Sequence, residues 1–260
     1  MTDLLQRILP SVQKPARYTG GEYNEIQKEP DSVRVNVAFC FPDTYEIGMS
    51  NVGMRILYGL MNKMDGVWCE RVFHPWGDME EAMRQHNLPL WALESQDPVA
   101  DFDMIAFTIG YEMAYSNILN MLDLAGVPLY SKDRRGLKNI VFAGGVCAFN
   151  PEPLADFIDF FSLGEGEDIT VEIVSLFDRA KAEGWSKEFF LQEAAKIPGV
   201  YVPSFYRHEY NEDGTLAAIA EKYDGCGNYR AAERASACLI HTADFHDTVA
   251  PLFSLVFPKA

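Results

Sequence analysis

The chain has 260 residues, 48% of them hydrophobic, which suits one medium domain with appendages or two small domains, and its 38 acidic against 22 basic side chains give a formal charge of −16 that repels phosphate backbones, so a nucleic-acid reader is not expected. No apolar run approaches the roughly 18 residues of a membrane span, and the early acid Asp3 does not suit a signal peptide; the chain reads as cytoplasmic, with no membrane partner. Five cysteines, Cys40, Cys69, Cys147, Cys226 and Cys238, are scattered and mostly sit in apolar runs, the pattern of reduced buried thiols rather than of a disulfide framework or metal cluster.

An N-terminal arm occupies residues 1–30. Residues 33–41 are rich in β-branched and aromatic side chains and predict a buried strand. Val52, Ile56, Leu57, Leu60 and Met64 then recur at helical spacing, with Ser50 or Asn51 as the N-cap. A short strand at 67–73, a charged surface helix at 78–86 and a brief edge strand at 88–93, its pairing limited by Pro89, follow. Residues 103–109 form the next strand, and 112–125 a helix stopped by Gly126 and Pro128. A strand at 139–143 ends in Gly144-Gly145, and one at 158–163 opens through Gly164-Glu165-Gly166-Glu167 into a helix reaching about residue 182.

Such alternation implies an α/β domain over 31–184, a doubly wound, mostly parallel sheet with helices on both faces. Residues 185–228 read as a connector, namely a helix (187–196), a strand (200–203) and a β-hairpin (205–210 with 217–221), and 229–260 as a divergent or truncated tail. Open sheets of this kind take ligands at the carboxyl edge of their strands. The informative loops are therefore 42–53, 108–112, 144–150 and 164–167. They nominate Asp43, Tyr45, Glu46, Gly48, Met49, Ser50, Thr108, Gly110, Tyr111, Glu112, Gly144, Gly145, Gly164, Glu165 and Gly166 as binding residues. No residue stands out as a catalytic acid, base or nucleophile, although Asp43, Glu46 and Glu112 are placed to be considered. None forms a metal-ligand pattern, and the five histidines, His74, His86, His208, His241 and His246, are scattered.

Asp43-Thr44-Tyr45-Glu46-Ile47-Gly48 has the spacing of the D-x-H-x-x-G loop of corrinoid proteins, with tyrosine in place of histidine. Together with Pro15-Ala16-Arg17-Tyr18, Glu70-Arg71-Val72-Phe73, Leu93-Glu94-Ser95, Asn117 through Gly126, Ala143-Gly144-Gly145, Asn150-Pro151-Glu152-Pro153 and Gly164-Glu165-Gly166-Glu167, it makes residues 10–225 resemble the N-terminal region of B12-binding-domain-containing radical SAM proteins. The resemblance implies a flavodoxin-like, cobalamin-binding-like fold. It also implies a radical SAM catalytic domain as partner, whose CxxxCxxC motif holds a [4Fe-4S] cluster and cleaves S-adenosylmethionine. This chain has no such motif and reads as the N-terminal module alone.

An imidazole is a good cobalt donor at neutral pH, and a phenol with a pKa of about 10 is not. Any cobalamin is thus expected to be held base-off, without a protein imidazole, with Gly48, Gly144 and Gly145 leaving room for it. Two other readings stand beside this one. The first is a scaffold or interaction domain that has lost the corrinoid; the second, a flavin or nucleotide module, lacks both a G-x-G-x-x-G and a P-loop.

Overall fold

The β-branched and aromatic run after the arm forms β1 (Val35–Phe41), buried at every position except Asn36. The computed structural model describes residues 2–213 and 215–222, so Cys226, Cys238, His241, His246 and the tail at 229–260 lie outside the described residues. Around β1 stand β2 (Val67–Phe73), β3 (Met104–Thr108), β4 (Ile140–Gly144), β5 (Phe160–Ser162) and β6 (Val200–Tyr201). The sheet order is β2-β1-β3-β4-β5-β6; the first five strands are parallel, and β6 is antiparallel to β5. This is the doubly wound α/β architecture that the alternating pattern predicts, with its topological switch between β1 and β3.

The helices are α1 (Thr2–Ile8), α2 (Tyr45–Ser50), α3 (Val52–Lys63), α4 (Gly77–His86), α5 (Tyr115–Ala125), α6 (Gly166–Glu183) and α7 (Lys187–Ala194). Side chains start and stop them as expected. The Asn51 side chain accepts from Met54 N at 2.8 Å and caps α3, while Gly126 (φ 70°) and Gly184 (φ 66°) end α5 and α6 in the left-handed conformation that favours glycine. Helices α3 and α6 pack together. Arg84 of α4 ties that helix to α5 through Asn120 and Asp123.

An edge strand should be half exposed, yet β2 is buried at all seven positions. Two segments cover it. The arm crosses on one side, where Trp68 Nε1 donates to Ile26 O at 3.0 Å and Lys28 Nζ donates to Val67 O. Residues 88–98 cross on the other, with Leu93 N donating to Arg71 O at 2.9 Å and Leu90 N to Leu124 O at 3.0 Å. Residues 88–93 are therefore not the predicted edge strand. Their apolar alternation is used to seal β2 and reach α5, and their own pairing is a single bridge between Trp91 and Pro98.

Downstream, α7 and β6 pack on the same core: Phe190 and Tyr201 are buried, and Phe190 meets Phe177 edge-on at 5.4 Å. The hairpin is β7 (Tyr206–Tyr210) with β8 (Leu216–Glu221). Among the described residues no helix is long and apolar enough to cross a membrane.

Candidate functional site at the carboxyl edge

The loops after β1, β3 and β4 lie side by side at the carboxyl edge and are stitched together by hydrogen bonds. Across the switch point, the Tyr111 hydroxyl donates to the Asp43 carboxylate. Asn117 Nδ2 donates to Pro42 O at 2.9 Å, and Cys147 N to Ile109 O at 3.1 Å. The Asp43 bond is the first cause that pushes the Tyr111 phenol up to about 12, and burial adds to it.

Of the segment with corrinoid-loop spacing, Asp43 and Thr44 precede the short helix α2, and the residues from Tyr45 to Gly48 lie within it. Tyr45 is its first residue, and its ring packs edge-on against Phe73 at 5.4 Å. The hydroxyl points at the arm, donating to Glu22 at 2.7 Å, and burial followed by that carboxylate pushes the phenol up to about 12. Such a group is protonated at neutral pH and already engaged. It belongs to a second, buried network: Arg71 pairs with Glu94 (2.6 Å), Glu22 (2.8 Å) and Glu25 (3.7 Å). Burial pushes Glu94 up, and Arg71 opposes this. Next door Glu46 is held at about 2; desolvation works against that, and its own main chain, Lys14 and Arg17 outweigh it.

The glycines expected to make room for a ligand are filled by the protein itself. A Cβ at Gly48 would lie 2.2 Å from the Phe73 ring, one at Gly144 2.6 Å from Ser162 Oγ, and one at Gly145 (φ 102°) 2.8 Å from Ile109 O. Each is a close approach of protein to protein. At Gly110, by contrast, a Cβ would meet nothing within 4 Å. The cavity beneath the arm, bounded by Arg17, Tyr45, His74 and Trp91, holds about 20 Å³, room for a water molecule. His74 offers no vacant donor at Nε2, which accepts from Asn120 Nδ2 at 2.9 Å, and burial lowers its pKa. The residues present therefore do not fit a cobalamin held by a lower ligand and a glycine-lined tail groove.

The edge does expose a row of apolar side chains of which sequence reasoning singled out only Tyr111. Ile47 (48% exposed) and Val52 (46%) follow β1, Tyr111 (38%) and Met113 (85%) follow β3, and Val146 (74%) and Phe149 (48%) follow β4. The available signal was the presence of large apolar residues in loops between strand and helix. Met49 is half-buried and accepts a contact from Arg71 through its sulfur; Ser50 bonds back to Ile47 O; Thr108 ends β3, and Gly164 lies two residues beyond the end of β5. Glu112, Glu165 and Asp168 are exposed and Glu167 partly so.

The family model for the N-terminal region of radical SAM proteins matches residues 53–203, more than half of the chain. The chain belongs to that family. The match takes in the loops after β3, β4 and β5 and starts beyond α2, so Asp43 and Tyr45 fall outside it. An uncharacterized protein of Methanocaldococcus jannaschii is 28% identical over 145 residues, which is 54% of this chain and 26% of that protein. The chain thus spans about a quarter of the length of this curated relative.

Proposed function

We propose that this chain is a non-catalytic accessory module of a radical SAM protein, and that its working surface is the carboxyl edge of the sheet, which packs against the catalytic domain. The observation that carries the reading is the exposure of Ile47, Val52, Tyr111, Met113, Val146 and Phe149 on three adjacent loops, because exposed apolar side chains gathered in one place mark interaction surfaces. Family membership supplies the partner class: in this family an N-terminal region accompanies a domain that binds a [4Fe-4S] cluster and S-adenosylmethionine. A cytoplasmic setting fits the unpaired thiols of Cys40, Cys69 and Cys147.

Cobalamin is the second reading, and the open space at Gly110 favours it, since a flat macrocycle could approach the backbone there without a protein ligand to cobalt. The deciding measurement is the absorption spectrum after incubation with hydroxocobalamin and desalting. The accessory reading expects colourless protein. A retained corrin spectrum at one equivalent would replace it with the corrinoid reading.

A further inference from the structure

At the carboxyl edge the apolar row is joined by acids that have no ion-pair partner among the described residues. Helix α6 starts at this edge, and a Cβ on its first residue, Gly166, would lie 3.4 Å from Leu57 of α3, so the α6 N-terminus adjoins the helix whose first residue is the exposed Val52. Glu165, Glu167 and Asp168 stand there, and Glu112 stands on the β3 loop. None of the four has an ion-pair partner among the described residues. The acids of the β1 loop are engaged: Lys14 and Arg17 clamp Glu46, and Tyr111 holds Asp43.

Two acids in the first turn of α6, Glu167 and Asp168, with Glu165 at its N-cap, complement the helix dipole and need no partner for that purpose. The exposed apolar row beside them is a separate observation, and it calls for an occupant. The two together define a surface that is apolar at the centre and carries unpaired acids at the α6 N-terminus.

We infer that this edge is built to receive a protein surface that is apolar at its centre and lined with lysine or arginine on the side facing the α6 N-terminus. This rests on the docking reading above and specifies the partner's chemistry. A second copy of the chain is the wrong occupant, because it carries the same formal charge of −16 and has no surplus of lysine and arginine to answer the acids. Rim charges of this kind act on encounter rate and partner choice, while the apolar centre supplies affinity.

The test uses the full chain and two amphipathic helical peptides of equal length and equal leucine content, one carrying lysines and one glutamates, titrated by fluorescence anisotropy in low and physiological salt. The lysine peptide should bind and the glutamate peptide should not. Met113→Ser with Val146→Ser should weaken the lysine peptide at least tenfold. Glu165→Gln with Glu167→Gln and Asp168→Asn should weaken it severalfold and flatten its salt dependence. Equal binding of both peptides, still lost in the Met113/Val146 variant, would overturn the charge inference and leave the docking reading standing. Lysine-peptide binding untouched by either set would be general attraction to an acidic protein, and would overturn both.

Discussion

Tyr45 shows how one side chain's direction changes its meaning. Its hydroxyl bonds to Glu22 under the arm rather than facing the edge, so Tyr45→Phe should cost about 1–2 kcal/mol of stability in urea unfolding and leave peptide or cofactor binding at the edge unchanged. A loss of edge binding with stability intact would return Tyr45 to the site. Gly145 makes the opposite case. With φ 102° and Ile109 O 2.8 Å from its would-be Cβ, Gly145→Ala should cost about 2–4 kcal/mol from strain and displaced backbone together, in protein that has never met a ligand. Glu70, buried at 2% exposure, is pushed up to about 7 by desolvation, with Ser95 N–H at 2.8 Å opposing. A carboxyl raised in the folded state holds its proton more tightly there than when unfolded. Stability from this group is therefore full below about pH 4.5 and is lost as pH rises through about 7. Glu70→Gln, which keeps an acceptor for Ser95, should match the parent at pH 4.5 and exceed it by about 1–3 kcal/mol at pH 8; equal urea midpoints at both pH values would show that the proton is not retained.

At the scale of elements, what could be read from the chain was what local rules determine. Helical spacing with its stops placed α3, α5 and α6, and the caps Asn51, Gly126 and Gly184 fell where the residue types indicate. The strands were legible because β-branched runs bounded by glycine and proline have few alternatives. Residues 88–93 were not legible as a seal over β2, because their apolar alternation is the same whether it meets a neighbouring strand or covers an edge. Nor was the helical state of Tyr45–Ser50, which depends on Gly48 fitting against Phe73, 25 residues away in sequence. The arm likewise carries no strand or helix pattern strong enough to foretell its role. It is held by Arg71, whose partners Glu22 and Glu25 come from the arm and Glu94 from the sealing segment. Arg71→Met should cost about 3–5 kcal/mol, since it strands the wholly buried Glu94, and should expose the peptide bonds of residues 19–25 to limited proteolysis. Adding Glu94→Gln should recover much of the stability but not the protection, because Glu22 and Glu25 stay unpaired. Protection restored together with stability would mean that the arm does not depend on Arg71.

For the whole molecule, family membership brings an expectation of radical chemistry that the thiols of this chain do not support. Cys40 lies inside β1 and Cys69 inside β2, both fully buried, and burial pushes both thiols upward, away from the thiolate form an iron–sulfur cluster needs. Cys147, on the β4 loop, is also pushed up, by burial and then by Glu112. Cys226 and Cys238 are twelve residues apart, with no third cysteine spaced to complete a CxxxCxxC motif. Anaerobic reconstitution of this chain with iron and sulfide should therefore give no stable [4Fe-4S] cluster, and added S-adenosylmethionine should remain intact under reducing conditions. Iron and sulfide bound at four each per chain, with 5′-deoxyadenosine formed on reduction, would show that the chain ligates a cluster by itself and would end its description as an accessory module.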